Sequence, residues 1–386
     1  MDRDETTATS LPEDVVGEIL LRVKDMADLF HCARTCKRWS RLVADIRRHR
    51  PDQMSTSLLS GFFAKRGKVR YLFPTPGSLF GPDRRLLGSF LRGTTRDLSR
   101  ATPLVARHGL LLVHLPSSDA PSTIHLALCN LLAGTCDELP PLKMRWKFDN
   151  NGYAIITDAD RSSNGKTSHV LVMYYNDRQY YSPCVLHTFL YNEGRWIEPT
   201  NLGREAKNFS NCGPLKHSDA VVCQGTARWL VGYHSSHHNY LHTINVDVEN
   251  SNVSMTKIVT PTEDILSRTY YEPQLSVATD ETLSLLCLQR PGLQVKIYMQ
   301  QGNRGSENGG TWLYTRNVEL KPPKQIRAEE MHLTLLGEKS GTLFVKDNCM
   351  NVYAVDLKTG VMKSLTYHGK VTHGKVVPFE TYWPMF

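Results

Sequence analysis

The sequence predicts a small all-α N-terminal unit of three helices, followed by a large all-β domain that forms a β-propeller of about six blades. Three observations lead there. A helical period runs from Ser10 to about Arg50 and stops at Pro51. Beyond it, short segments of alternating polarity are separated by turn residues. A strand–turn–strand motif then recurs around Asn130, Tyr191, Asp247, Ile297 and Asp356, at steps of 61, 56, 50 and 59 residues. Residues 52–386 have room for about six such units. A four-stranded blade needs ~40–50 residues, so the period fits blades with long loops.

In the helical unit, Ser10 is placed to cap the first helix, with Glu13 at the capping-box distance. Pro12 suits the first turn, and Glu13 and Asp14 favour the positive end of the helix dipole. Val15, Val16, Ile19, Leu20 and Val23 recur at three- and four-residue steps and give one apolar face. A second helix is expected over residues 25–35, burying Met26, Leu29 and Phe30. A third is expected over residues 36–47, with Trp39, Leu42, Val43 and Ile46 inward and Lys37, Arg38, Arg41 and Arg48 outward. Three helices in about forty residues make a core near the limit of independent stability, so part of this apolar surface is expected to meet another protein.

The clearest strands are residues 170–175, 185–191, 241–249, 293–300 and 352–357. In 293–300 every second residue is apolar, which buries one face. The plainest repeat is Val352-Tyr353-Ala354-Val355-Asp356-Leu357-Lys358-Thr359-Gly360-Val361-Met362, a strand, a polar turn ending in Gly, and a returning strand. Related copies begin at Leu128, Phe189 and Ile244, and a fifth hairpin leaves Ile297 and returns at Trp312. Residues 1–9 read as a disordered N-terminus, 10–50 as the helical module and 51–386 as the propeller.

Composition bounds the setting. Of 386 residues 40% are hydrophobic and 22% charged, with a mean hydropathy of -0.35. No apolar run approaches the ~18 residues of a spanning helix, so no membrane partner is expected. The first ten residues are polar and lack the apolar core of a secretory signal. The nine cysteines are then expected as reduced thiols in a cytoplasmic and/or nuclear protein. The first 100 residues hold 19 Lys and Arg against 12 Asp and Glu, which is most of the net charge of +8. Clustered basic residues suit phosphate backbones, but no aromatic platform or reading motif accompanies these. A solvated face or an acidic protein partner is the preferred reading over nucleic acid.

The run Leu11-Pro12-Glu13-Asp14-Val15-Val16-Gly17-Glu18-Ile19-Leu20-Leu21-Arg22-Val23, with Cys36-Lys37-Arg38-Trp39-Ser40-Arg41-Leu42-Val43, resembles an F-box. That pattern is Leu-Pro, an Ile-Leu pair seven and eight residues after the Pro, and a closing Cys-Lys-x-Trp-x-x-Leu. The resemblance implies docking onto a Skp-type adaptor and, through it, onto a cullin–RING ligase of the SCF kind. It implies that Leu11, Pro12, Val15, Ile19 and Leu20 face the adaptor, while Cys36, Trp39 and Leu42 pack the third helix and finish the contact. The strand–turn copies, the Trp229 strand and the ending Val376-Val377-Pro378-Phe379 resemble the F-box-associated propellers common in plant, especially grass, F-box proteins.

Catalytic signatures are sparse. Gly337-Glu338-Lys339-Ser340-Gly341 lacks the spacing of a nucleophile elbow, and the Gly-rich run 302–310 lacks the Gly-Lys-Ser/Thr of a phosphate-binding loop. His234, His237, His238 and His242 cluster between strands and suit a loop at one propeller rim better than a metal site. Tyr174, Tyr175, Tyr180 and Tyr181 flank a second candidate loop. The reading is therefore a non-catalytic substrate receptor with no cofactor or metal and an unidentified protein target. The rivals are a non-degradative interaction protein, and a propeller enzyme or small-molecule sensor.

Overall fold

The computed structural model describes residues 11–23, 26–49, 57–75, 78–91, 98–116, 122–144, 151–157, 160, 169–175, 184–202, 212–234, 239–250, 252–259, 273–277, 282–289, 293–301, 311–323, 332–339, 341–365 and 375–382. Three N-terminal helices precede a six-bladed β-propeller. Among the described residues, no helix is long and apolar enough to cross a membrane.

The helices are α1 (Glu13–Arg22), α2 (Met26–Ala33) and α3 (Lys37–His49). Pro12 occupies the residue before α1 with no side-chain cap, and Glu13 and Asp14 supply the negative charge its first turn favours. Ser10, the expected cap, lies outside the described residues. Val16, Leu20, Leu29, Phe30, Ala33, Val43 and Ile46 form the module's core.

Blade 1 holds β1 (Ser57–Arg66), β2 (Val69–Pro74) and β3 (Arg85–Leu86). Blade 2 holds β4 (Thr102–Arg107), β5 (Leu110–His114), β7 (Leu126–Asn130) and β8 (Thr135–Glu138), beside a two-stranded pair of β6 (Thr123–Ile124) and β9 (Leu142–Lys143). Blade 3 runs β10 (Gly152–Ile156), β11 (His169–Tyr175), β12 (Cys184–Leu190) and β13 (Arg195–Trp196), with β14 (Thr200–Asn201) also on β12. Blade 4 comprises β15 (Cys212–Leu215), β16 (Val221–Cys223), β17 (Thr226–His234), β18 (Asn239–Asp247) and β19 (Val253–Ile258). Blade 5 comprises β20 (Gln274–Val277), β21 (Leu283–Gln289), β22 (Gln294–Gln301) and β23 (Thr311–Glu319). Blade 6 comprises β24 (Thr334–Lys339), β25 (Thr342–Lys346), β26 (Val352–Asp356) and β27 (Met362–Ser364).

The last strand, β28 (Val377–Tyr382), completes blade 1 by pairing antiparallel with β1. Blade 1 therefore joins strands from both ends of the propeller sequence. The innermost strands β28, β4, β10, β16, β20 and β24 touch in that cyclic order, which closes the ring. An aromatic contact fastens the joint, Phe63 meeting Phe379 edge-on at 5.6 Å, while Phe62 stacks on Phe73 at 5.1 Å within the β1–β2 pair. Pro378 is tolerated because β28 hydrogen-bonds on one side only. Gly61 is required at its bulge, since its φ is 148° and a Cβ there would run into the Phe73 carbonyl oxygen.

Strand order fixes the two faces. β28 and β4 run side by side in the same direction, because Lys375 reaches Leu104 at one end and the Gly109 N–H donates to the Glu380 carbonyl at the other. Connections from the second to the third strand of every blade therefore leave one face. Connections from first to second, and from third to fourth, leave the other.

Candidate docking surfaces

Helix α1 carries two adjacent apolar stripes with opposite fates. Val16 and Leu20 turn into the module's core, while Leu11, Val15 and Ile19, spaced four residues apart, remain 51%, 38% and 47% exposed. Pro12 is exposed beside them. Arg38 donates to the Leu11 carbonyl and so ties the start of this stripe to α3. Glu18 and Arg22 pair at 2.5 Å across one turn of α1. An exposed row of this kind has apolar area left to bury against a partner.

Two of the expected positions sit differently from the rest of the row. Leu20 is 1% exposed inside the module, because α1 needs it and Val16 to cover Phe30 and Val43, so it offers no free surface. Cys36 is exposed rather than packed under α3. It sits just before that helix, where its carbonyl accepts the Ser40 N–H at 3.0 Å and the Trp39 and Arg38 amides hold its thiol below the ordinary range. Trp39 and Leu42 are half-buried against the module's core, as is Cys32.

The module rests on the propeller. Leu79, on the β2–β3 connection, completes the helical core, and Leu132, in the β7–β8 turn, packs on it. The Arg34 guanidinium donates to the Leu132 carbonyl at 2.7 Å. Both connections join third and fourth strands, so the module occupies that face at blades 1 and 2. Nothing in the local sequence marked Leu79 or Leu132 as a seat, since each also reads as an ordinary turn hydrophobe.

The opposite face carries the second-to-third connections. There the β1–β2 turn presents the basic run Lys65, Arg66, Lys68 and Arg70, with Lys65 directly opposite Arg70. Strands β17 and β18, and β11 and β12, end at this same face on either side of the histidine and tyrosine loops anticipated from sequence, and the loop residues themselves lie outside the described set. Of the flanking side chains, Tyr174 is buried and stacks on His187 at 5.7 Å. His242 is buried too, and its imidazole is pushed down to about 4 by burial and then by Lys257. These two belong to the core. Lys375 binds the Leu104 carbonyl and Asp219 and lies 5.9 Å from the Tyr153 ring centroid, joining blades 1, 2, 3 and 4 near the axis.

On the module's face a polar network joins neighbouring blades. Arg107 grips Asp160 with two donors, and Asp160 accepts the Thr157 N–H at 2.9 Å and its hydroxyl at 3.0 Å. Burial opposes the Asp160 charge, but Arg107 outweighs it and holds the carboxyl below its usual range. His108 Nδ1 lies 2.7 Å from Thr157 Oγ1, and burial, then Arg107, keeps its imidazole well below the ordinary value. Lys339 and Glu380 pair at 3.6 Å nearby. No group of three or more His, Cys, Asp and Glu placed to hold a metal occurs among the described residues. The network is satisfied internally and reads as a tie between blades.

Residues 8–51 match the F-box-like family. No curated protein matches the chain. Among solved structures, the β-propeller domain of the Trilobed protease from Pyrococcus furiosus is 10% identical, with 80% of this chain and 83% of that chain covered and a TM-score of 0.38. An α-L-arabinanase from Penicillium chrysogenum complexed with arabinobiose is 11% identical over 85% and 88% of the two chains, at 0.39. The N-terminal domain of Nup159 is 10% identical over 76% and 72%, at 0.35. The chain thus joins an F-box-like domain at residues 8–51 to a six-bladed β-propeller.

Proposed function

We propose that this chain is the substrate receptor of an SCF-type ubiquitin ligase, of the kind that pairs an F-box with a propeller in plant F-box proteins. The observation that carries the reading is the exposed row of Leu11, Val15 and Ile19, with Pro12, on an F-box-like domain whose core is otherwise complete. This row docks on a Skp-type adaptor and, through it, on a cullin–RING ligase. Trp39 and Leu42 complete the contact from α3. The propeller holds the target protein on the face opposite the module, where loops vary at little cost to the rigid ring. In this reading the chain takes no chemical step itself. It acts by proximity: tethering target and ubiquitin-loaded enzyme to one scaffold converts a bimolecular encounter into an effectively intramolecular one.

The test is co-purification of the full chain with a Skp-type adaptor and a cullin, beside a Leu11→Ala/Pro12→Ala variant. Stoichiometric capture by the native chain and its loss in the variant are expected. A folded native chain that captures neither protein sinks the reading.

A further inference from the structure

Cys129 in β7 and Cys136 in β8 face each other across an antiparallel pair, with their Sγ atoms 2.8 Å apart. The register favours a covalent bond between them. The Leu139 N–H donates to the Leu126 carbonyl at 2.9 Å, so Leu126 and Leu139 form a hydrogen-bonded pair. Counting inward by alternation, Cys129 and Cys136 form a non-hydrogen-bonded pair, whose Cα atoms approach to ~4.5 Å. That separation lies inside the range a disulfide spans, about 4.4–6.8 Å between Cα atoms. Cys129 is fully buried in the core of blades 1 and 2, whereas Cys136 is half-exposed. One thiol is therefore open to a reagent in solution, and the second is open to little besides the first.

We propose that Cys129 and Cys136 are a redox-active pair that closes into a cross-strand disulfide, locking the hairpin on which the F-box-like module rests. The turn between the two strands contains Leu132, whose carbonyl accepts Arg34 and whose side chain packs on the module's core. The oxidant is a low-molecular-weight disulfide such as oxidised glutathione. The Cys136 thiolate attacks one sulfur of that disulfide, forms a mixed disulfide and expels a glutathione thiolate. Cys129, giving up its proton, attacks Sγ of Cys136 and expels the second glutathione thiolate. Two protein thiols are oxidised, one glutathione disulfide is reduced to two thiols, and the two protein protons pass to the two leaving thiolates.

The experiment takes the reduced full chain through buffers of graded reduced-to-oxidised glutathione, blocks remaining thiols with N-ethylmaleimide and reads non-reduced peptides by mass spectrometry. A Cys129–Cys136 cross-link, lighter by two hydrogens and opened by dithiothreitol to two free thiols that a second N-ethylmaleimide treatment blocks, is expected at ratios where Cys36 carries only a reversible glutathione adduct. Amide exchange over Leu131–Gly134 slows in the oxidised chain. The Cys136→Ser variant, checked for a native circular dichroism spectrum, forms no cross-link at Cys129. The proposal is overturned if both thiols stay blockable throughout, if Cys136 stops at the glutathione adduct, if either cysteine bridges elsewhere, or if exchange over Leu131–Gly134 is unchanged.

Discussion

Ile19 and Leu20 are neighbours of similar size, and alanine at each is predicted to damage a different property. Leu20 is 1% exposed among Val16, Phe30 and Val43. Leu20→Ala leaves a cavity and costs roughly 2–5 kcal/mol of the module's stability. At ~4–8 °C per kcal/mol for a small domain, the module's melting transition drops by about 10 °C or more. Ile19 is 47% exposed, so Ile19→Ala leaves stability within ~0.5 kcal/mol of native. Its cost comes on docking. Burying a whole Ile side chain is worth ~1.5–3 kcal/mol, and roughly half remains to be buried here, so the variant loses about 1 kcal/mol of adaptor affinity, or about fivefold in Kd. Thermal unfolding of the full chain, paired with titration against a Skp-type adaptor, reads both quantities. If Ile19→Ala melts the module while Leu20→Ala leaves it native, the assignment of inner and outer stripes is wrong.

Two further outcomes follow from the propeller. A Cβ at Gly152 would lie 2.5 Å from Trp229 Nε1 and 2.7 Å from Leu215 Cδ1, so Gly152→Ala overpacks the joint of blades 3 and 4 by ~1–3 kcal/mol. Calorimetry is expected to show a lower melting temperature, with Trp229→Phe recovering part of the loss in the double variant; strictly additive effects would refute the contact. The second outcome is acid sensitivity. His108 and His242 are depressed in the folded chain, so below the ordinary 6.5 the unfolded chain takes up protons that the folded one does not. Stability is therefore greatest above that pH and is lost as pH falls toward about 4, where His242 titrates in the folded state. Denaturant titrations across this window check it, and His108→Asn, which tolerates the positive φ of 49° there, makes the fall shallower. A native chain whose stability is flat or rises on acidification contradicts the prediction.

Much of the architecture was legible because local patterns carry it. The strands expected over 170–175, 185–191, 241–249, 293–300 and 352–357 match β11, β12, β18, β22 and β26 within one or two residues. Asn130, Tyr191, Asp247 and Asp356 sit where a third strand turns toward a fourth and Ile297 lies within the third strand of blade 5, a hairpin every blade must contain once, so their spacing counted the blades. What was missed depends on distant residues. The closure of blade 1 pairs Phe63 with Val377, and nothing near either residue announces the other. The inner and outer faces of α1 were merged for a related reason. Val15, Val16, Ile19, Leu20 and Val23 form one broad apolar arc, and only the positions of α2 and α3 divide it into a buried and an exposed stripe. Likewise Cys129 and Cys136 straddle a recognised turn, but their pairing needed the register of β7 against β8.

The most direct test of the central claim is amide hydrogen exchange of the full chain with and without a saturating Skp-type adaptor. Slowed exchange over α1 and the start of α3 is expected, with blades 3 to 6 unchanged. Protection confined to the propeller, with α1 exchanging as freely as in the chain alone, would contradict it.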